Sequence, residues 1–422
     1  MTGRSALNQG TPYTSNPLIF QFSKFTLYPL RLKCQNNIYE ASGKFNRMKK
    51  IIFHLDDSKN FRGGERQVLY LASELEKLGC RNFVVCRKNS LLEKEAGERR
   101  LESFDIPYFS EWDPVSALLL ALEIKQKMKA FDADALPIIH SHTGHTAATA
   151  WLAGFLLDGV RIAHRRVDFP VSGRSAVLKY AKADAVIAVS EAIKKILLAG
   201  GISEKKIAVI PSSVNLADFE SSAGEDYRNR LLANLKLGAD SMLIGSLMAL
   251  VPHKDPLNLV KAAKRTVSAR PECHFLLAGE GHLLDEAKTA VKTLSLENNF
   301  HFLGYCRENI EFLKGLDIFV LSSREEGLGS SIIEAMAAGL PVVGTDAGGI
   351  PELIQNNFNG FITPRESPEP LADALLKLAG DAELRRRFSA NSLARSRDYS
   401  SVKMAQETLK LYEKTLENFK PR

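Results

Sequence analysis

Two glutamates eight residues apart bracket a glycine-bearing stretch, Glu326-Gly327-Leu328-Gly329-Ser330-Ser331-Ile332-Ile333-Glu334. An ionised carboxylate accepts two hydroxyl hydrogen bonds at once, so such a pair suits a hydroxyl-rich ligand. Gly327 and Gly329 let the backbone approach a ligand closely. The helix predicted to begin beside them would present unpaired N–H groups and the positive end of its dipole, which favours an anionic or hydroxyl-rich ligand. Glu334 has a second reading that needs no ligand, because Ser331-x-x-Glu334 matches a capping box. Glu326 has no such alternative and tips the stretch toward ligand binding.

Other residues of this kind lie at predicted strand ends. Lys254, in His253-Lys254-Asp255-Pro256, follows the predicted strand Leu243–Leu250 and would stand over the same crevice. A cation there would favour an anionic ligand, or is simply a solvated surface lysine. His142 ends the predicted strand Pro137–His142, where an imidazole can donate to a hydroxyl or share developing charge. His140 is expected to pack inward on the alternation of strand faces, and His145 is near enough to substitute for His142. Gly63-Gly64 forms a loop that would approach phosphate, or is simply a turn. Arg165 and Arg166 close another strand. Their forks suit a phosphate or carboxylate on an acceptor, or pair with Asp168 at the surface. Asp132-Ala133-Asp134 imitates a metal-binding DxD but precedes its strand, at the wrong end of the sheet, and no other acidic or histidine cluster shows metal-ligand spacing. No metal site is expected. Gly279-Glu280-Gly281 lacks the third glycine of a dinucleotide fingerprint.

The elements that must position these residues alternate short β-branched runs with amphipathic stretches, twice over, the signature of parallel sheets with crossover helices. Strands are predicted at 50–55, 83–87, 106–109, 137–142, 161–165, 185–190 and 207–210, and again at 243–250, 274–278, 300–303, 317–321, 341–345 and 360–362. This gives a first Rossmann-like domain over 48–215, a linker over 216–235 and a second such domain over 236–399. A terminal helix over 400–422 carries Val402, Ala405, Leu409, Tyr412 and Leu416 at helical spacing and is expected to cross back to the first domain. In such sheets ligands bind outside the carboxyl ends of the strands.

The stretch from Glu326 to Glu334, followed by Glu334-Ala335-Met336-Ala337-Ala338-Gly339-Leu340-Pro341-Val342-Val343 and Gly348-Gly349-Ile350-Pro351-Glu352, resembles the family 4 (group 1) glycosyltransferases of GT-B fold. Arg62-Gly63-Gly64-Glu65-Arg66, His140-Ser141-His142, Ala185 to Ser190, His253 to Pro256 and Gly279-Glu280-Gly281 extend the likeness over about residues 49–415. The resemblance implies a retaining transferase of two facing Rossmann-like domains that needs no cofactor beyond a nucleoside-diphosphate sugar. It implies that Glu326 contacts the transferred sugar, Glu334 the ribose, the amides of Gly327, Leu328, Gly329 and Ser330 sugar or phosphate oxygens, Lys254 the diphosphate, and His142 the donor sugar. Gly63, Gly64 and Gly279 would line the donor. One departure stands out: Ala249 occupies the place where the family usually carries an arginine, five residues before the lysine. A nucleotide-sugar 2-epimerase of the same architecture and a noncatalytic nucleotide-sugar binding subunit are the competing readings.

The 422 residues exceed what one core sustains. The net charge of +7 divides as +5 over 1–47, +5 over 48–215 and −3 over 216–422, so no single basic domain argues for nucleic acid. Residues 1–47 lack hydrophobic periodicity. They are expected to lie outside the fold and to be dispensable, with Met48-Lys49-Lys50 resembling a start and a targeting leader as the rival. Five scattered cysteines fit neither a disulfide framework nor a zinc site and point to a reducing cytoplasm. Without a run of about 18 apolar residues, membrane contact would be peripheral, at the inner face. Lys125, Lys127 and Lys129 read as a solvated helix face, with membrane association the lesser alternative. A glycan or lipid-linked acceptor in surface polysaccharide or lipopolysaccharide synthesis is the setting that the resemblance implies.

Overall fold

The computed structural model describes residues 50–420 except 172, 222 and 223. The extension 1–47 lies outside the described residues. Seven parallel strands form the first sheet: β1 Ile51–Leu55, β2 Arg81–Cys86, β3 Glu102–Asp105, β4 Pro137–Ser141, β5 Val160–Arg165, β6 Ala185–Ala188 and β7 Ile207–Val209, in the order β3-β2-β1-β4-β5-β6-β7. Six form the second: β8 Met242–Leu247, β9 Cys273–Ala278, β10 Phe300–Gly304, β11 Ile318–Leu321, β12 Val342–Thr345 and β13 Gly360–Thr363, in the order β10-β9-β8-β11-β12-β13. Central strands such as Ile51-Ile52-Phe53-His54-Leu55 are buried along their whole length because helices cover both faces. Each sheet reverses its winding between the first strand and the fourth, at β1–β4 and at β8–β11. Those two switch points are where ligands lodge in doubly wound sheets.

The third strand differs from expectation. Ile106 and Tyr108 are buried, but they belong to the loop after the strand, and the paired residues are Glu102 to Asp105. β3 is an edge strand, so one side of it faces water and its polar residues conceal it from an apolar-run reading. The segment 216–235 is helical, Leu216–Ser221 and Gly224–Leu235. Its second helix docks on the second domain, where Arg228 donates to the Gly315 carbonyl and to Asp317.

The last helix, Ser401–Glu417, packs on the first domain's helix Gly63–Lys77. Met404, Ala405 and Tyr412 join a core cluster with Ile52, Ile138, Ile162 and Ile187 of the first sheet. Val402 faces solvent at 49% exposure, and Met404 takes the inward place. The crossing is pinned by Val214, whose N–H donates to the Tyr399 carbonyl and whose carbonyl accepts from Ser401 N–H, both at 2.9 Å. Among the described residues, no helix is long and apolar enough to cross a membrane.

Candidate active site

The second-domain wall is built on close backbone packing. Gly279 has φ +147°, and a Cβ there would stand 1.9 Å from the Met248 carbonyl oxygen; one on Gly281 would stand 2.2 Å from that of Leu250. The loop after β9 therefore closes on the loop after β8, sealed by Leu250 N–H to the Glu280 carbonyl and Leu283 N–H to the Leu250 carbonyl, 3.0 Å each. Gly279 thus shapes the segment that carries Lys254. That segment ends in a 3₁₀ turn, Pro252–Lys254, and Asp255 then caps the helix Pro256–Ala269 through Asn258 N–H. Lys254 ion-pairs with Oε2 of Glu326, which also accepts from Ser323 Oγ at 3.3 Å. The predicted cation and the first glutamate are direct partners across the β8–β11 switch point.

Beyond Glu326 the chain needs its two glycines for two different reasons. Gly329 is the N-cap of the helix Ser330–Ala337 in left-handed conformation, φ +98°. Gly327 lies against the first domain, where a Cβ would stand 2.0 Å from the Arg166 carbonyl oxygen, and its own carbonyl accepts from Ser190 Oγ at 2.6 Å. Leu328 is buried. On the opposite wall, a Cβ on Gly63 would meet Ser330 Oγ at 3.1 Å, whereas Gly64 has open space around it. Glu352 closes the same junction by accepting from the N–H groups of Glu191 and Ala192, 3.0 Å each, at the start of the first-domain helix Glu191–Ala199.

The capping-box reading of Glu334 is not what forms. The helix starts at Ser330, so Ser331 lies inside its first turn and Glu334 in its second. The carboxylate instead accepts from Arg66 Nη1 and from Asn309 Nδ2, both at 2.7 Å. Burial would lower the Arg66 pKa, but the Glu334 charge more than compensates and holds it above its ordinary value. Arg66 had no chemical role in the sequence reading beyond its place in a motif. With Ala249 standing where an arginine is usual, it is a guanidinium brought to the cleft from the other domain.

The first-domain wall holds a histidine cluster. His54 and His140 are register partners on β1 and β4, and the His142 ring lies 4.0 Å from that of His140. His140 packs inward as expected, but positions two apart share a strand face, so alternation does not separate it from His142, which is buried beside it. His54, His140 and His142 offer ring nitrogens within 4.8 Å of one another, a grouping no sequence spacing displays. Hydrogen-bond direction defines their state. Arginine can only donate, and Arg166 Nη2 lies 3.2 Å from His142 Nδ1 and 3.3 Å from His164 Nδ1. His142 then carries its proton on Nε2 and donates to His54 Nδ1 at 3.1 Å, and His54 donates from Nε2 to Asn82 Oδ1 at 3.1 Å. His140 Nδ1 pairs with the Tyr412 hydroxyl at 2.6 Å. Burial first, and neighbouring positive charge second, keep His140, His142 and His164 neutral well below the usual imidazole range; His54 falls to about 4. Both ring nitrogens of His142 are engaged inside the domain, Nδ1 by Arg166 and Nε2 by His54.

Arg165 and Arg166 diverge. Arg165 is 6% exposed, donates to the Tyr180 hydroxyl at 3.1 Å and to the Phe169 carbonyl, and stacks on the Tyr180 ring. Arg166 keeps Nε and Nη1 without a hydrogen-bond partner, and burial lowers its pKa to about 10. Neither forms an ion pair with Asp168 among the described residues. Asp168 lies instead within electrostatic reach of Glu325, Glu326 and Lys254, its carboxyl pushed up chiefly by burial. Asp56, just past β1, is a buried carboxyl that sequence reasoning missed; burial, then Glu65, pushes it up to about 7. His145 is turned outward onto Asp57 at 3.1 Å. Asp132 and Asp134 are exposed ahead of β4, at the end of the sheet away from the cleft.

The cleft therefore joins a cation, two carboxylates and a glycine-led helix start at the switch point of one sheet, facing the switch point of another. Residues 61–218 match the family described as Glycosyltransferase Family 4, and residues 228–395 match Glycosyl transferases group 1. The chain belongs to the group 1 glycosyltransferases, with the GT-B fold. It is 29% identical over 187 residues to the Escherichia coli UDP-Gal:alpha-D-GlcNAc-diphosphoundecaprenol alpha-1,3-galactosyltransferase, 43% of this chain and 48% of that one. The first curated relatives are matched over 65%, 48% and 57% of their own lengths. Among solved structures, a glycosyltransferase from Rickettsia africae superposes with TM-score 0.77 at 22% identity, covering 88% of this chain and all of that one. Anabaena HepE, solved with UDP-glucose, superposes with TM-score 0.74 at 22% identity, covering 87% of this chain and all of that one.

Proposed function

We propose that this protein transfers a sugar, with retention and without a metal, from a nucleoside-diphosphate sugar to a glycan or lipid-linked acceptor at the inner face of a membrane, in surface polysaccharide or lipopolysaccharide synthesis. The observation that carries the reading is the Lys254–Glu326 pair at the β8–β11 switch point, with the Gly327–Ser330 loop beside it. As the bond between the anomeric carbon and the phosphate oxygen breaks, its electron pair leaves with the diphosphate. Lys254 and the free N–H groups at the start of the helix Ser330–Ala337 meet that growing charge. Glu326 and Glu334 accept from sugar and ribose hydroxyls. The acceptor hydroxyl adds on the face the diphosphate vacates, and its proton passes to the departing phosphate oxygen.

Support comes from the donor named for the Escherichia coli relative, UDP-Gal, from its diphosphoundecaprenol acceptor, and from the UDP-glucose held by the Anabaena structure. Thermal-shift screening against UDP-, GDP- and ADP-sugars, followed by a transfer assay with the stabilising donor, tests the reading. Lys254→Ala should lower turnover at saturating donor by about 10²–10³-fold, the scale for losing one preorganised electrostatic donor. Glu334→Gln should mainly raise the donor KM. Wild-type turnover in Lys254→Ala would remove the proposed phosphate cation.

A further inference from the structure

The first-domain helix Glu191–Ala199 opens with a cap drawn from both domains. The first N–H groups of any α-helix lack partners inside it. Here the Ile193 N–H donates to Oγ of Ser190, the N-cap residue, at 3.1 Å. The N–H groups of Glu191 and Ala192 donate instead to the two carboxylate oxygens of Glu352, on the second-domain helix Ile350–Leu353. A carboxylate in this place also meets the positive end of the helix dipole. Glu352 is braced from behind, because its carbonyl accepts from the Tyr399 hydroxyl at 3.0 Å and the Leu353 carbonyl accepts from Arg395 Nε at 2.7 Å.

The same serine reaches the donor loop. A hydroxyl carries one proton and two lone pairs, so Ser190 Oγ can accept from Ile193 and still donate, which it does to the Gly327 carbonyl at 2.6 Å. The Glu326 carbonyl accepts from Gly349 N–H at 3.0 Å, and a Cβ on Gly348, φ +48°, would stand 1.7 Å from that carbonyl oxygen. Carbonyl and following N–H point in opposite directions across a trans peptide. Fixing these two carbonyls therefore turns the N–H groups of Gly327 and Leu328 away from Gly349 and Ser190. Among the described residues those two N–H groups donate to no protein acceptor. Glycine tolerates either orientation of the peptide that follows it, so residue 327 does not itself hold the Gly327–Leu328 peptide in place.

We propose that Ser190 and Glu352 are positioning residues for transfer: the shared cap seats Ser190 against the donor loop, and Ser190 turns the Gly327–Leu328 peptide so that its N–H meets the donor diphosphate. The opposite orientation would present a carbonyl oxygen, with its partial negative charge, to that anion. Gly327 also packs against the Arg166 carbonyl, so the first domain sets the loop from two sides. The inference rests on the proposed nucleotide-sugar chemistry. A wild type that transfers sugar while the variants behave alike refutes the positioning alone, whereas a wild type that transfers from no nucleotide sugar refutes the function itself.

The test combines steady-state kinetics, melting curves and amide hydrogen exchange on the full chain. Ser190→Gly removes the hydroxyl but leaves a residue that serves well as an N-cap. It should melt near the wild-type temperature and lower turnover at saturating donor about tenfold, the scale of one hydrogen bond to a charged group. Its donor KM should stay within about twofold, because the diphosphate gains charge as the bond breaks. Without any ligand, Glu352→Ala should make the Glu191 and Ala192 amides exchange about tenfold faster and leave the rest of the helix protected. Its turnover should fall as well, with Glu352→Gln, which keeps one acceptor oxygen, in between. Because both residues act through one peptide, the double variant should lose little more than the worse single variant. Wild-type turnover in Ser190→Gly, unchanged exchange at Glu191 and Ala192 in Glu352→Ala, or losses that multiply in the double variant would each overturn the proposal.

Discussion

Arg66, on the first helix of the first domain, donates to the Glu334 carboxylate of the second domain at 2.7 Å, across 268 residues of chain. The pair joins the two walls of the cleft, and Glu334 is almost wholly buried. Removing the guanidinium leaves that charge with Asn309 as its remaining partner. Arg66→Met should therefore cost about 2 kcal/mol, the lower end for truncating one member of a buried charge pair, because Arg66 keeps some exposure. Adding Glu334→Gln to that variant should recover most of the loss. Urea melts of the two single variants and the double variant check the coupling, and strictly additive losses would deny it.

Arg166 should matter to the acceptor and Arg165 to the fold. Arg165 is engaged by Tyr180 and the Phe169 carbonyl and keeps Nε alone without a partner, whereas Arg166 retains both Nε and Nη1. Arg166→Gln should raise the acceptor KM roughly tenfold, the equivalent of one hydrogen bond to a charged group, and leave the donor KM near wild type. Arg165→Gln should lower the melting temperature instead. Equal changes in both Michaelis constants for Arg166→Gln would place it outside the acceptor site.

Asp56 predicts a pH signature. Its carboxyl is raised to about 7 in the folded chain from 3.8, first by burial and then by Glu65. An acid whose folded pKa is raised contributes stability that is full below pH 3.8 and lost as pH rises through about 7, because the folded state holds the proton longer. Asp56→Asn removes this dependence and can still accept from Ser58 N–H. The variant should therefore gain stability relative to wild type between pH 4 and 7, by about 4 kcal/mol at most, and then hold level. A constant difference across that range in paired denaturation curves would contradict the assignment.

Transfer should survive EDTA. The cationic work is assigned to Lys254 and the helix N–H groups, and Asp132 and Asp134 lie exposed at the far end of their sheet. Assaying the chelated enzyme, then adding back Mg²⁺, Mn²⁺ or Zn²⁺, checks this. Loss of turnover that a metal restores would overturn it, and His54, His140 and His142 would be the first place to look.

Local chemistry made much of this protein legible from its residues alone. Buried parallel strands read as β-branched runs, so twelve of the thirteen strands among the described residues fall where the pattern puts them, and the one displaced, β3, is a polar edge. The glycine loop, Lys254 and the two glutamates come from contiguous motifs whose strand-end position follows from topology. What only the tertiary structure decided are contacts between residues remote in sequence. Arg66 reaches Glu334 because two domains close on each other, His54 joins His142 because β1 and β4 are neighbours, and Tyr412 meets His140 because the last helix crosses back. Periodicity records which side of an element is apolar, not which distant element covers it. The same limit made Glu334 resemble a helix cap, because a capping box and a carboxylate held by another domain share one local pattern, and only the helix start at Ser330 separates them.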